Sequence, residues 1–256
     1  MHEYGGKKVL ITGASKGLGW VGAVAFAEAR ASLCISARSK DNLDDLTAVM
    51  PNPGNHTICP GDLTDKAGVA AIINDVRSNF GTPDIIIHCA GGGFGMRDPL
   101  LDWDELETLM RGNLAGAAEI NRGLIPKMQS GDGGYVVHVG STTSTEAIGS
   151  VGYNTMKAAL AAYVRSLGNE LAAGNVIVTG IMPGAFTAPE NSWARMVDRG
   201  DAAVMDSFIA EKLPRGKMAD AGEILPLLFL LTGPGASMMA GSCVPIDAGE
   251  SHAYSF

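Results

Sequence analysis

Residues 7–19 (KKVLITGASKGLG) constrain the fold more than any other part of the chain. Residues 9–11 form a short apolar run that is typical of a buried parallel strand, and an alanine-rich helical segment follows at residues 21–29. Between them lies a turn with the spacing Gly13-x3-Gly17-x-Gly19. Glycines let the backbone approach a phosphate closely, and the amides and dipole at a helix start attract the anion. The segment therefore predicts a dinucleotide-binding element rather than merely a tight turn.

Composition excludes several classes of protein. The chain has 256 residues, 46% hydrophobic and 18% charged, which describes a globular protein with an ample core. Its net charge of -8, with no run of basic residues, argues against nucleic-acid binding. The longest apolar run, residues 224–231, is too short to span a bilayer, and the N-terminus does not have the pattern of a signal peptide. The four cysteines include no Cys-x2-Cys pair, so we expect core residues rather than a metal site or disulfides, and a cytoplasmic location.

Predicted strands and helices alternate along the chain. The strands are predicted at residues 9–11, 32–36, 56–59, 84–88, 135–139, 176–182 and 242–246. The helices are predicted at residues 21–29, 41–50, 66–80, 102–128, 152–171 and 221–231, with an irregular segment at 183–219. This alternation predicts a doubly wound parallel sheet in three layers, a Rossmann fold. No composition break divides the chain, so we expect a single domain over residues 1–256.

The second predicted strand indicates which dinucleotide is bound. An acidic residue about 20 residues after the glycines usually binds the ribose 2′-hydroxyl of NAD. Here that place holds Ala37 and Arg38, and Lys16 adds a second positive charge within the glycine turn. Both cations suit a 2′-phosphate, which favours NADP(H) over NAD(H), although both could be ordinary solvated bases.

Asp62 and Leu63 follow the third predicted strand and could hold the adenine by one polar and one apolar contact. The alternative is that Asp62 caps the next helix, a role that Asp65 could also fill.

Four residues form a candidate catalytic set. Tyr153 and Lys157 are four residues apart on a predicted helix, and a nearby ammonium lowers the pKa of a phenol. Ser141 ends the preceding strand, where its hydroxyl could orient a carbonyl while Tyr153 donates a proton. Asn113 interrupts the long helix at Gly112-Asn113, which indicates either a kink whose freed carbonyl holds a water or an exposed, mildly unfavourable residue.

These motifs together resemble the short-chain dehydrogenase/reductase family of single-domain type, across nearly the whole chain, including its 3-oxoacyl-carrier-protein-reductase-like members. The resemblance rests on the glycine turn from Thr12, the four candidate catalytic residues, Pro183-Gly184 with Thr187 nearby, and residues 241–249. It implies hydride transfer between a nicotinamide and a carbonyl or alcohol carbon. Tyr153 would be the acid in reduction, with Lys157 lowering its pKa and holding the ribose, Ser141 polarising the carbonyl, and Asn113 linking Lys157 to solvent through water.

The resemblance also implies a set of cofactor-binding residues. These are Gly13, Ser15, Lys16, Gly17, Leu18, Gly19, Arg38, Asp62, Leu63, Ala90, Gly91, Tyr153, Lys157, Pro183, Gly184 and Thr187. The family's members commonly pair their two long helices, here residues 102–128 and 152–171, so a homodimer or homotetramer is expected.

Among the places where the chain departs from the family, two bear directly on the catalytic residues. His88-Cys89-Ala90-Gly91 replaces the family's Asn-Asn-Ala-Gly, so support for the central sheet must come from elsewhere. His88 could be catalytic, but we expect a strand-end histidine satisfied by the backbone. The spacing from Ser141 to Tyr153 is one residue shorter than usual, so Thr142 or Thr143 could instead supply the working hydroxyl.

The substrate is less constrained. Residues 185–218 carry apolar side chains that could cover it, or could simply pack as two small helices. Arg97 could meet an anionic group, or pair with Asp98 or Asp102. The leading hypothesis is an NADPH-dependent reductase of a 3-oxoacyl thioester or a cyclic ketone. The alternatives are a sugar or nucleotide-sugar oxidoreductase of surface-polysaccharide synthesis, and a catalytically silent NADP(H)-binding regulator.

Overall fold

Seven parallel strands form the central sheet of the protein, whose structure is a computed structural model that describes residues 3–253. With the two strands of a second, small sheet included, the strands of the described residues are β1 (Lys8–Thr12), β2 (Ser32–Ser36), β3 (Thr57–Ile58), β4 (Ile85–His88), β5 (Gly134–Val139), β6 (Val176–Pro183), β7 (Phe186–Thr187), β8 (Ala219–Asp220) and β9 (Cys243–Ile246). The central sheet has the order β3-β2-β1-β4-β5-β6-β9, and β7 and β8 form a separate small sheet. Strands β2 and β3 lie on one side of β1, and β4, β5, β6 and β9 lie on the other. The order of the strands therefore reverses between β1 and β4, where a ligand crevice opens. The predicted doubly wound Rossmann fold is confirmed.

The α-helices lie between the strands. They are α1 (Gly17–Glu28), α2 (Lys40–Val49), α3 (Lys66–Asp75), α4 (Trp103–Met110), α5 (Gly116–Gln129), α6 (Val151–Leu171), α7 (Ser192–Asp198), α8 (Ala202–Lys212) and α9 (Leu225–Leu231). Two π-helical segments, Val76–Phe80 and Arg111–Ala115, continue α3 and join α4 to α5. Short 3-10 turns lie at Pro53–Asn55, Thr142–Ser144, Ala172–Gly174, Ala221–Ile224 and Pro234–Ala236.

Two apolar layers cover the sheet, one on each face. Phe26 of α1, Leu43 of α2 and Leu228 of α9 belong to one buried cluster. Ile72 of α3 and Leu124 of α5 belong to the other. Because side chains alternate along a strand, the buried runs of the central strands supply apolar groups to both layers. The result is the three-layer arrangement expected from the sequence.

Most predicted boundaries agree with the structure, and the differences have local causes. The first helix begins at Gly17 instead of residue 21, because the glycine turn runs directly into it. The segment predicted as irregular at 183–219 contains α7 and α8, and both are short, with few buried positions. Periodicity over so few residues gives little helical signal.

The described residues show neither a metal cluster nor a membrane span. All four cysteines are free, and within residues 3–253 no group of His, Cys, Asp and Glu is arranged to hold a metal ion. None of the helices in the same range combines the length and apolarity that a bilayer crossing requires.

His88 is buried in the core at the end of β4, and it is satisfied by side chains, not by the backbone as expected. Its Nδ1 lies 3.3 Å from Thr12 Oγ1, and its Nε2 lies 2.9 Å from Asn121 Oδ1. Burial lowers the pKa of His88 to about 4, against a weaker opposing effect of the Asn121 hydrogen bond. The ring is therefore neutral in the folded protein near neutral pH.

We predict that this histidine makes the fold sensitive to acid. An unfolded histidine takes a proton below about pH 6.5, whereas folded His88 takes one only near pH 4. Its contribution is therefore complete above pH 6.5, and it is lost as the pH falls from there toward 4, up to roughly 3 kcal/mol of unfolding free energy. Urea unfolding at a series of pH values measures this loss.

The matched variants are His88→Asn and His252→Asn, because His252 is exposed. We expect the first to make the acid limb shallower, with the remainder due to the other buried histidine, His138, and the second to leave the limb unchanged. An acid limb that is identical in all three proteins would contradict the assignment.

Candidate active site

The site lies at the carboxyl ends of the central strands. Gly13 follows β1, Ala90 and Gly91 follow β4, Ser141 follows β5, and Pro183 ends β6. These ends meet at one edge because all seven strands are parallel. The fold therefore brings the predicted glycine turn, the candidate hydroxyl and the candidate nicotinamide loop together.

The glycine turn is a tight backbone cradle. Gly13 has a φ of +71°, and a Cβ on it would lie 2.6 Å from the backbone N of Ala90. A Cβ on Gly19 would collide with the carbonyl oxygen of Gly13. No acidic residue and no capping side chain lies in the first turn of α1, which begins at Gly17. A pyrophosphate fits this cradle, because the backbone can approach it and the helix start attracts it.

Three cations gather beside this cradle. Partial burial lowers the pKa of Lys16, and the charges of Arg195 and Arg38 lower it further, while Glu190 opposes them. The proximity of Lys16 and Arg38 agrees with their predicted shared role. Arg195 was missed by the sequence reasoning, because it lies on α7, far along the chain from the other two cations.

The start of α7 rests on the glycine turn. The amide of Gly17 donates to the carbonyl oxygen of Pro189 at 2.7 Å. Asn191 caps α7 by accepting from the amide of Ala194 at 2.8 Å, and its Nδ2 donates to the carbonyl of Phe186 at 2.7 Å. These contacts join the start of α7 to the glycine turn, and Arg195, one turn into the helix, donates from Nη1 to the carbonyl oxygen of Glu190.

Asp62 is not a helix cap, which resolves one of the alternatives. Asp65 caps α3 by accepting from the amide of Gly68 at 3.0 Å. Asp62 Oδ1 accepts from both the amide and the hydroxyl of Thr64, each at 2.8 Å. Oδ2 of Asp62 and the half-buried Leu63 beside it are thus placed at the strand edge where an adenine is expected.

Asn113 lies in the π-helical segment Arg111–Ala115 and is only 2% exposed, so its interpretation as an exposed residue is wrong. Its Oδ1 accepts from the amide of Gly92 at 2.9 Å, and its Nδ2 donates to the carbonyls of Gly92 and Leu109, both at 2.9 Å. A Cβ on Gly91 would lie 2.7 Å from Asn113 Oδ1. The side chain therefore fixes the loop after β4, a role that the sequence did not reveal. The predicted interruption of the long helix is the π-helical segment itself.

Lys157 is buried against the end of β5. Its Nζ donates to the carbonyl of Val139 at 2.8 Å and lies 5.7 Å from the centre of the Tyr153 ring. Burial lowers the pKa of Lys157 to about 8, and the neighbouring Cys89 opposes that shift. The ammonium is therefore readily deprotonated for a lysine.

Tyr153 and Ser141 lie next to each other, close enough for their hydroxyl groups to interact. Burial raises the pKa of Tyr153, and the hydrogen bond to Ser141 lowers it. The expectation that Lys157 lowers the pKa of this phenol is therefore not met in this structure, because desolvation outweighs any attraction at their separation. Of the three candidate hydroxyls it is Ser141 that contacts Tyr153, and Thr142 is buried.

The loop after β6 is held by the C-terminal segment. The amide of Gly184 donates to the carbonyl of Ile246 at 3.2 Å, and that of Ala185 donates to Glu250 Oε2 at 2.5 Å. Thr187 donates its hydroxyl to the carbonyl of Ala219 at 3.2 Å, so its proton is engaged with β8. Glu250 had not been singled out from the sequence; it lies 65 residues from its contact.

Arg97 is exposed on the loop after β4, and the acids suggested as its partners are otherwise engaged. Asp98 accepts from the amide of Leu100 at 2.8 Å, and Asp102 caps α4 by accepting from the amide of Glu105 at 2.9 Å. In the part of the chain that the structure describes, neither acid forms an ion pair with Arg97.

The chain is similar to known proteins over most of its length. The family model described as short chain dehydrogenase matches residues 7–196. The rhamnolipids biosynthesis 3-oxoacyl-[acyl-carrier-protein] reductase of Pseudomonas aeruginosa is 27% identical, over 97% of this chain and 99% of that protein. Glucose 1-dehydrogenase of Gluconobacter oxydans is 26% identical, over 96% of this chain and 92% of that protein.

A solved structure is similar over the same extent. L-sorbose reductase of Gluconobacter frateurii, complexed with NADPH and L-sorbose, superposes with a TM-score of 0.90 at 26% identity, covering 99% of each chain. The fold, the glycine cradle and these matches lead to one assignment. The chain belongs to the short-chain dehydrogenase family and is an NAD(P)-dependent oxidoreductase.

Proposed function

We propose that the protein is an NADP(H)-dependent carbonyl reductase that uses Asn113, Ser141, Tyr153 and Lys157. The observation that carries this proposal is the placement of Ser141 and Tyr153 next to each other, beside the buried Lys157, at the sheet edge that holds the glycine cradle. A phenol can protonate a carbonyl oxygen, a hydroxyl beside it can orient that oxygen, and a nearby ammonium can return a proton to the phenol.

The chain's own residues supply the proton chemistry. What a bound nicotinamide supplies is the hydride. Tyr153 donates a proton to the carbonyl oxygen, which Ser141 holds by a hydrogen bond. Lys157, whose Nζ is anchored by the carbonyl of Val139, would contact the ribose. Asn113 keeps the loop after β4 in place through hydrogen bonds to the amide and the carbonyl oxygen of Gly92.

The remaining predicted residues would hold the cofactor. The glycine cradle, including Ser15 and Leu18, would bind the pyrophosphate, and Asp62 and Leu63 the adenine. Ala90, Gly91, Pro183, Gly184 and Thr187 would line the ribose and nicotinamide end. Arg195 joins Lys16 and Arg38 around a 2′-phosphate, which supports NADP(H) over NAD(H).

The substrate proposal follows from the walls of the site. The rings of Trp193 and Phe208 are in contact, with centres 4.4 Å apart and planes tilted by 40°, where α7 meets α8 in the segment at 185–218 that is proposed to cover the substrate. This apolar wall and the exposed Arg97 suit a carbonyl compound with an apolar body and an anionic group, as in a 3-oxoacyl thioester, or a cyclic ketone. The similarity to L-sorbose reductase supports a sugar as the second candidate.

We predict selective binding of NADPH. Titration of cofactor fluorescence should give tighter binding of NADPH than of NADH, because only NADPH carries the 2′-phosphate. Arg38→Ala and Arg195→Ala should each weaken NADPH binding by about tenfold, the loss of one charge-assisted contact. NADH binding should change little.

Arg199→Ala is the matched control, because Arg199 follows the same helix but lies near Asp201, with Nε 3.8 Å from Oδ2. It should leave both affinities unchanged. Equal losses for NADPH and NADH in Arg38→Ala would rule out a phosphate contact.

We predict that Tyr153→Phe abolishes reduction but not cofactor binding. The assay follows NADPH consumption with acetoacetyl-CoA, cyclohexanone, L-sorbose and a nucleotide sugar as test substrates. Removal of the proton donor should lower kcat by about 10²–10⁴-fold, and Tyr135→Phe, at the opposite end of β5, should have no effect.

The panel also separates the alternatives. Turnover of L-sorbose or the nucleotide sugar, with none of the other two compounds, would favour the sugar hypothesis. Tight NADPH binding without turnover of any ketone or sugar would favour the catalytically silent regulator instead.

We further propose a homodimer or homotetramer in the cytoplasm. Leu100 and Trp103 are 88% and 80% exposed, and Leu106 and Met110 continue this apolar surface along α4. Such a patch is typical of a protein interface, and it lies on the helices that the family pairs. The four free cysteines accord with a reducing compartment.

We predict that Trp103→Asp combined with Leu106→Asp gives a monomer, because two carboxylates would then be buried in the interface. Light scattering after size exclusion measures the mass. Val49→Asp, an equally apolar and exposed position on α2, should leave the assembly intact. A native protein that is already monomeric at micromolar concentration would contradict the interface.

A further inference from the structure

A chain of buried polar side chains crosses the sheet beneath the active site. His88 and His138 are partners in the register of β4 and β5, and their rings stack with centres 4.6 Å apart. Asn121 of α5 contacts both rings, through Oδ1 at 2.9 Å from His88 Nε2 and Nδ2 at 3.1 Å from His138 Nε2. Thr12 Oγ1 extends the chain at 3.3 Å from His88 Nδ1, and Tyr163 Oη lies 3.1 Å from Asn121 Nδ2.

The amide of Asn121 determines where each ring carries its proton. Its oxygen only accepts, so His88 must carry a proton on Nε2. Its nitrogen only donates, so His138 Nε2 must offer a lone pair, and the proton of the neutral ring lies on Nδ1. Both rings are neutral because burial lowers the pKa of His88 to about 4 and that of His138 well below its usual value.

This assignment leaves one donor without a protein partner. His138 Nδ1 is buried and forms no hydrogen bond with the described residues, and the same holds for the hydroxyl of Ser144. Both residues line one small cavity between β5, β6 and α6, together with Gly180 and Leu160. The rest of the lining is apolar, and a single ordered water in this cavity would accept from His138 Nδ1 and bond to Ser144 Oγ.

The polar chain ends next to the groups that carry the proposed chemistry. His138 precedes Val139, whose carbonyl oxygen holds Lys157 Nζ at 2.8 Å. Ser144 lies in the turn that begins at Ser141, whose hydroxyl accepts from the amide of Thr143 at 3.2 Å. Asn121 follows the π segment with Asn113 by two helical turns, and Tyr163 lies on the helix of Tyr153 and Lys157. A shift of these hydrogen-bonded side chains would therefore move the four candidate catalytic residues, Asn113, Ser141, Tyr153 and Lys157, relative to one another.

We propose that Asn121 is a positioning residue, and that an internal water bound by His138 and Ser144 completes the polar chain through which it aligns the site. Buried polar networks that are fully satisfied specify one arrangement of the elements they join. The positioning role rests on the proposed function, whereas the water and the two proton positions do not.

The proton positions and the water are tested directly, without activity. Long-range ¹H–¹⁵N correlation spectra of protein labelled at histidine should show His88 protonated at Nε2 and His138 at Nδ1 near neutral pH. A high-resolution crystal structure should show a water within hydrogen-bond distance of His138 Nδ1 and Ser144 Oγ. An empty cavity, or His138 protonated at Nε2, would overturn this part of the proposal.

Gly180→Ala tests the water by filling its cavity. Gly180 is the register partner of His138, and a Cβ there would lie 3.1 Å from Cys243 Sγ. We expect the water to disappear and the His138 resonances to shift. The matched control is Gly54→Ala, where a Cβ meets no atom within 4 Å, and it should change neither.

Kinetics on the best ketone or sugar of the substrate panel test the positioning role. We expect kcat to fall about tenfold in Gly180→Ala and further in Asn121→Leu, with KM and the NADPH dissociation constant within about twofold. Should Asn121→Leu fail to fold, Tyr163→Phe replaces it and removes only one acceptor of the amide. Folded variants with unchanged kcat, or with kcat and NADPH affinity lost together, would overturn the positioning role.

Discussion

The close approach of the glycine turn to the loop after β4 is the constraint on which the rest of the site depends. With the backbone of Gly13 packed on that of Ala90, β1 and β4 can end side by side without any intervening side chain. The gap between these two strands is where the chain reverses its direction across the sheet, so the cofactor crevice and the catalytic groups open from the same point. A single added methyl group would force them apart.

The fold, and the candidate residues whose spacing along the chain forms a local pattern, could be predicted from the sequence. Strands, glycine turn and the spacing of Tyr153 and Lys157 are local patterns, and each is readable from a few neighbouring residues. The interrupted helix was also readable, since a Gly-Asn pair in a long helix requires a reason. The hydrogen bond between the Asn113 side chain and Gly92 could not be predicted in the same way, because it joins segments that are 21 residues apart.

The same limit explains what was missed. Arg195 and Glu250 reach the site from distant parts of the chain, and nothing in their immediate neighbours indicates the contact. His88 was correctly given a structural role, but its partners are side chains from β1 and α5 instead of the backbone. The pKa of Tyr153 was expected to fall on charge grounds alone, whereas desolvation depends on packing that the sequence does not display.

The hydrogen bond from Gly17 to Pro189 links two events that would otherwise be independent. A phosphate that takes the Gly17 amide must displace the Pro189 carbonyl, which lies at the start of the segment proposed to cover the substrate. Cofactor binding and the placement of that segment therefore share a coupling free energy, which must act equally in both directions. Any change that strengthens the hydrogen bond between Gly17 and Pro189 therefore weakens phosphate binding at the Gly17 amide by the same factor.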